Sequence, residues 1–314
     1  MAMRFGLLGT GYWAAETHAA ALSTHPDVDF VGVWGRTATS VVTLAHRYGV
    51  AAFPEVDELI GEVDAIALAL PPDVQGQLAL RAAAAGKHLL LDKPLALTSD
   101  VADELVAEVR RADVASVVFF TRRFDHAIES FIAESVATGG WDGATSTMYA
   151  QIFEEGSPYR ASTWRRQRGG LWDVGPHALS LVLPVLGPVA EVRAMDGPRA
   201  STHVLARHVD GGVSSLALTV DAPPAAVRFE TEFYGAAGRA LVPTQNGSKV
   251  DALGVAISEL VAMAGTDGVG GAGGTDGAGG RTHRCDAAFG RDVVAVLAAA
   301  ERSRAAGEAV SVRG

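Results

Sequence analysis

A short apolar run that breaks on two glycines and restarts as a helix constrains this chain more than any other feature. Residues 3–8 read as a buried strand, Gly9-Thr10-Gly11 as a tight turn, and Tyr12-Trp13-Ala14 as the opening of a helix reaching about Ser23. Glycine at 9 permits the turn, glycine at 11 leaves bare backbone at the helix N-terminus, and the small Ala14 lets helix and strand pack closely. Unsatisfied N–H groups and the positive end of the helix dipole make such a terminus a seat for an anion, and this spacing suits a dinucleotide's pyrophosphate. An ordinary glycine-rich strand-to-helix turn has the same look in isolation, so the rest of the chain has to distinguish the two.

Behind that unit the rhythm repeats. Residues 29–34, 51–53, 64–70, 88–91 and 115–121 read as strands, with helices over about 39–48, 54–60, 74–85 and 98–111 between them. Apolar runs closed by proline or glycine suit strands buried on both faces, and their alternation with helices implies a doubly wound parallel sheet over residues 1–122. From 123 to 314 the pattern changes. Helices are expected near 125–138 and 171–186, and strands at 144–153, 189–196, 202–209, 213–221, 227–234 and 239–242. Tight turns between those strands predict an α+β second domain with a large, mainly antiparallel open sheet. Residues 154–170 read as a polar loop rich in arginine and aromatics, and 265–280 as a flexible glycine-rich loop. Helices over about 253–264 and 287–305 and a last strand at 308–312 complete an α/β chain of two domains.

Charge and cysteine usage exclude several classes. A net charge of −10 gives nucleic acid or an anionic membrane no electrostatic attraction, and no stretch has the unbroken apolar length of a membrane span. The single cysteine, Cys285, rules out an intrachain disulfide framework, and the N-terminus enters a strand too early for a secretory leader. A cytoplasmic protein is expected.

In an open α/β sheet, ligands sit outside the carboxyl ends of the strands. The residues expected there are Gly9, Thr10, Gly11, Tyr12 and Trp13 after the first strand, then Trp34, Gly35, Arg36 and Thr37 after the second. Leu70, Pro71 and Gln75 follow the fourth, and Asp92 and Lys93 end the fifth. An NAD site usually has an acid after the second strand for the ribose 2′-hydroxyl; here Gly35 stands there, and Arg36 with Thr37 or Thr39 suits a 2′-phosphate, so NADP is favoured over NAD. Lys93, after three leucines and between an acid and a proline, points from a rigid strand end into the crevice as a proton donor or electrostatic clamp, unless it is a plain surface lysine. Asp173 and His177, four positions apart, share a face if their turn is helical, which is how a carboxylate orients a general base. Metal binding is the poorer reading, since no second ligand pair follows at fitting spacing. Tyr159, Trp164, Arg165 and, at the mouth of the sixth strand, Arg122 are candidates for lining a substrate pocket; a solvated arginine surface is the alternative.

Gly9-Thr-Gly-Tyr-Trp-Ala14, Pro71-Pro72-Asp73, Asp92-Lys93-Pro94 and Asp173-Val-Gly-Pro-His177 stand in the order found in the Gfo/Idh/MocA oxidoreductases, which this chain resembles. The resemblance extends to Thr121-Arg122-Arg123-Phe124 and to the segment 233–238, so it covers nearly everything but the glycine-rich stretch. It implies a nicotinamide-binding Rossmann domain and a C-terminal domain whose open sheet makes oligomer contacts, hence a homodimer or homotetramer. It also implies hydride transfer between NAD(P) and a hydroxyl-bearing carbon of a sugar, cyclitol or related polyol. Lys93 matches the lysine of the family's Glu-Lys-Pro motif, with Asp92 for glutamate, and Asp173 and His177 match its acid and histidine. On that basis His177 exchanges the hydroxyl proton, Lys93 hydrogen-bonds the same oxygen (or the reverse), and Asp173 orients. Where the family often has another acid, three residues past the histidine, this chain has Ser180, and Gln75 stands near a frequent histidine. Two other readings stay open: a glycosidase that oxidises its substrate transiently with a held nicotinamide, and a silent nucleotide-binding regulator. The joint presence of Lys93, Asp173 and His177 argues against the second.

Overall fold

The computed structural model describes residues 1–265 and 281–312, so the expected loop over 265–280 lies outside the described residues except for Gly265. Two compact units emerge, Met1–Phe124 with Gly247–Arg291, and Asp125–Asn246 with Asp292–Gly314. The change from one to the other near its end falls inside a single helix.

In the first unit, six strands form one sheet among the described residues: β1 (Met3–Leu8), β2 (Val28–Trp34), β3 (Ala51–Ala52), β4 (Ala65–Leu68), β5 (His88–Asp92) and β6 (Ser116–Phe119). Their order is β3-β2-β1-β4-β5-β6, with every neighbouring pair parallel. All of β4 and Leu89–Leu91 of β5 are fully buried, as continuous apolar runs in a parallel sheet should be. The chain leaves β1 for β2 on one side and later returns to β4 on the other, which makes the β1–β4 crevice the switch point of the sheet. After β1 the helix begins with a π-helical turn, Ala14–Ala19, and continues as α1 (Ala20–Thr24). Helices α2 (Ala38–Tyr48), α3 (Val56–Glu62), α4 (Pro72–Ala84) and α5 (Ser99–Arg111) fill the other connections.

In the second unit, α6 (His126–Thr138) precedes β7 (Trp141–Tyr149), and α7 (Thr163–Asp173) and α8 (Gly175–Leu186) follow it. Strands β8 (Val189–Asp196), β9 (Thr202–His208), β10 (Val213–Thr219), β11 (Arg228–Gly235) and β12 (Gly238–Leu241) then join β7 and the terminal β13 (Val310–Ser311) in the order β12-β11-β7-β10-β9-β8-β13. Only the β7–β10 pair is parallel in this seven-stranded sheet of the described residues, so the mainly antiparallel expectation holds. Strand β9 alternates strictly, with Thr202, Val204, Ala206 and His208 buried and the residues between them exposed. One face of the sheet is thus covered, with α8 against β7 and β10, and the other is open.

Three observations depart from the sequence reading. The stretch expected as a loop to residue 170 turns helical at Thr163, and the single helix expected over 171–186 is two helices meeting at Val174. Gly169 leaves helical geometry (φ 62°), but the chain resumes at once. The third concerns α9 (Lys249–Gly265), expected within the second domain, which packs instead on α1, β5, β6 and the 3₁₀ turn Thr121–Phe124. Its buried Leu253, Ile257 and Leu260 supply the apolar face, and Ser258 Oγ lies 2.8 Å from His25 Nε2. The segment after residue 280 continues this docking: Cys285, fully buried, accepts from Val118 N–H through its carbonyl at 2.7 Å, and Ser116 Oγ accepts from Ala287 N–H. It thereby covers the β6 edge before α10 (Ala287–Ala306) begins.

Candidate functional site

The glycines of the opening turn are needed for different reasons. Gly9 has φ 129°, and a Cβ there would strike the Ala69 carbonyl oxygen. Its N–H donates to Trp34 O at 2.8 Å, while Ala69 N–H donates to Leu8 O at 2.9 Å, so the ends of β1, β2 and β4 are tied together at the switch point. At Gly11 a Cβ would meet no protein atom within 4 Å. Nothing in the chain itself demands glycine there. Bare backbone with open space before it, at the mouth of a helix, fits a dinucleotide's diphosphate. Tyr12 is exposed beside it, and Trp13 is half-buried with an indole N–H that meets no hydrogen-bond partner among the described residues.

At the end of β2, a Cβ on Gly35 would lie 2.8 Å from Thr10 Cγ2, so close packing of the two turns leaves no room for a carboxylate side chain. Arg36 next to it is exposed, as is Thr37. Leu70 and Pro71 are half-buried at the end of β4, where Pro71 precedes the first turn of α4.

Gln75, on α4, is 1% exposed and fixes the turn that carries Lys93. Its Nε2 donates to the carbonyls of Asp92 (2.7 Å), Pro94 (3.1 Å) and Leu95 (3.3 Å), and its Oε1 accepts from Asp92 N–H at 3.1 Å. Asp92 Oδ1 accepts from Lys93 N–H at 2.8 Å, and the Lys93–Pro94 peptide is cis. Pro94, Leu95 and Ala96 are buried while Asp92 and Lys93 remain half-buried. The lysine therefore projects from a turn whose backbone is anchored on both sides.

In the second unit the expected substrate residues converge on Arg165. Its guanidinium lies 4.5 Å from the ring centroids of both Tyr159 and Trp164, and its Nε donates to Asp173 Oδ2 at 3.2 Å. Nη1 reaches Ser162 Oγ at 3.3 Å. A planar cation stacked on two aromatics and tied to a buried carboxylate is a fixed, oriented donor. The other arginines of the run have different duties. Arg166 stacks on Phe153 and donates to Arg160 O, and Arg168 pairs with Glu301 at 2.8 Å. Gly170 sets the height of this cluster: a Cβ on it would lie 2.6 Å from the backbone of Thr219, so α7 rests directly on β10. Asp173 ends α7 and His177 stands in the first turn of α8, where Ser180 Oγ donates to the His177 carbonyl at 2.8 Å.

Arg122 is buried in the 3₁₀ turn Thr121–Phe124 of the first unit. Two residues of that unit escaped the sequence reading. Lys249 places its ammonium 5.2 Å from the centroid of Trp13; it begins a helix whose apolar pattern gives no hint of what that helix packs on. His18 is fully buried beside Trp13 and Phe119, with no hydrogen-bond partner for either ring nitrogen among the described residues. Burial drives its pKa down to about 3, so the imidazole is neutral. Among the described residues no group of three or more His, Cys, Asp or Glu stands close enough to hold a metal, and no helix is long and apolar enough to cross a membrane.

Comparison with known proteins bears on the family and the fold. Residues 3–120 match the model of the oxidoreductase family with an NAD-binding Rossmann fold. The dTDP-3,4-didehydro-2,6-dideoxy-α-D-glucose 3-reductase of Streptomyces antibioticus is 29% identical over 248 residues, 76% of this chain and 74% of that protein. The inositol 2-dehydrogenase of Rhizobium meliloti is 31% identical over 126 residues, covering 40% of this chain and 38% of its own length. The crystal structure of GenD2 from gentamicin A biosynthesis, solved with NAD, superposes with a TM-score of 0.82 at 20% identity over 99% of this chain and 96% of that one. At that identity the likeness is one of fold.

Proposed function

We propose that the chain, whose residues 3–120 match the oxidoreductase family model, acts as a Gfo/Idh/MocA oxidoreductase that oxidises or reduces a sugar, cyclitol or related polyol at a hydroxyl-bearing carbon, with NADP favoured over NAD. A bound nicotinamide supplies the hydride acceptor or donor, chemistry that no side chain provides. The residues that would hold the dinucleotide are Gly9, Thr10, Gly11, Tyr12 and Trp13, with Trp34 to Thr37, Leu70 and Pro71. Lys93 hydrogen-bonds the reacting oxygen and opposes charge on it, and His177 exchanges that hydroxyl's proton. Asp173 and the stacked Arg165 orient the substrate, with Tyr159 and Trp164 as apolar walls and Arg122 as a further contact. Gln75 acts through the Lys93 turn.

The observation that supports this most is the first unit's pairing of a bare Gly11 cradle with the Gln75-anchored turn of Lys93. Preference for NADP rests on the crowding of Gly35 by Thr10, which removes the site for an acid, and on the exposed Arg36. The open face of the second unit's sheet fits contact with a second copy, as a homodimer or homotetramer, and the lone buried Cys285 suits a cytoplasmic location. A panel of sugars and polyols, read by the change in nicotinamide absorbance, tests the reaction. Substituting Lys93→Met or His177→Ala should cut turnover by about 100-fold or more while NADPH affinity stays within about threefold. Near-parental turnover in both variants removes them from the mechanism, and tighter binding of NADH than of NADPH reverses the cofactor choice.

A further inference from the structure

Trp13 lies at the centre of a cluster in the first unit. Its ring is stacked on Phe119 and set edge-on to His18, and the Lys249 ammonium stands 5.2 Å from its centroid. Lys249 makes no hydrogen bond or ion pair among the described residues, and no carboxylate is placed to neutralise it. The residue is exposed, yet its ammonium is held below the usual lysine range, first by lost hydration and then by the like charge of Lys93. Lys249 therefore presents its charge over the ring of Trp13, two residues after the bare backbone of Gly11.

We propose that Lys249 is a ligand-binding residue of the nucleotide cleft, its ammonium above Trp13 taking an anionic phosphate or carboxylate oxygen of the bound molecule. This deepens the dehydrogenase reading and rests on it for the identity of the bound molecule. Two sources offer that chemistry: the diphosphate of the dinucleotide, and an acidic group on the substrate.

Substituting Lys249→Met keeps the stem over Trp13 and removes the charge; Lys249→Arg keeps the charge. Binding of NADPH, NADH and inorganic pyrophosphate to the full chain is followed by quenching of tryptophan fluorescence at low and high salt. If the dinucleotide supplies the anion, K249M weakens NADPH and pyrophosphate binding about tenfold at low salt, the deficit shrinks as salt rises, and K249R restores most of it. If the substrate supplies it, dinucleotide affinity is unchanged, and KM for a sugar phosphate or uronate rises about tenfold in K249M while that for the neutral sugar does not move. K249M equal to the parent in every one of these measurements overturns the assignment. A parent chain that binds pyrophosphate through Lys249 but neither nicotinamide dinucleotide overturns the dehydrogenase reading and leaves Lys249 as an anion site.

Discussion

Substituting Gln75→Leu would leave the carbonyls of Asp92, Pro94 and Leu95 without the donor they share, in a place with little access to water. Buried acceptors that lose their donor cost about 1–3 kcal/mol, and the turn they belong to carries Lys93. Turnover of Q75L should fall by about tenfold or more while cofactor affinity changes little; a variant that lowers Tm but keeps parental turnover would show that the turn holds without the amide. Gln75 was legible as a residue near the strand ends, but its attachment to β5 was not, because one sequence position does not reveal which backbone a buried amide faces. His18 carries a second prediction at this scale. Its imidazole titrates near 6.5 when unfolded and near 3 when folded, so between those values the unfolded chain binds more protons and stability falls as pH drops. The effect amounts to at most about 1.4 kcal/mol per pH unit in that window. His18→Leu should therefore show a shallower fall of Tm from pH 6.5 down to 4 than the parent, and equal slopes would mean that the folded chain accepts the proton at no cost.

Elements were legible where periodicity and burial agree. The parallel strands of the first unit announce themselves as apolar runs closed by proline or glycine, and β9 does so by strict alternation. What periodicity cannot state is the partner of a buried face, which is why α9 was expected in the second domain although Leu253, Ile257 and Leu260 pack on the first unit. Helix α7 was hidden differently: its polar, arginine-rich sequence read as a loop, Gly169 takes a left-handed φ of 62°, and close packing on β10 accounts for Gly170. A methyl group at Gly170 would sit 2.6 Å from Thr219 backbone atoms that have no side-chain freedom with which to give way. Gly170→Ala should therefore lift α7, costing about 1–3 kcal/mol of stability by overpacking. Because α7 bears Arg165 and ends on Asp173, turnover should drop with it, while dinucleotide affinity, measured on the other unit's residues, should hold. An unchanged Tm for G170A would show that α7 shifts freely.

At the scale of the molecule, one face of the second sheet is left without cover by the described residues of its unit. Met195 is 61% exposed and Leu205 56%, and around them lie Arg193, His203, Ser215 and Ala217 in register on neighbouring strands. Seven strands at about 4.8 Å spacing and about 23 Å of strand length make a plane of roughly 700 Å², near the ~800 Å² per partner of a standard interface. Self-association through a two-fold axis brings each residue of such a face to bear twice, so one charge introduced near its middle meets its own copy or lands in an apolar contact. Leu205→Glu should thus raise the dimer dissociation constant by about tenfold or more, equivalent to ~1.4 kcal/mol, and sedimentation should show the shift towards monomer at fixed concentration. Cofactor affinity supplies the control, because the nucleotide cradle lies in the first unit and its glycines do not depend on the sheet. Loss of association with NADPH binding intact assigns the face to a second copy. A parent chain that sediments as a monomer at the concentrations used for catalysis would separate the reaction from assembly altogether.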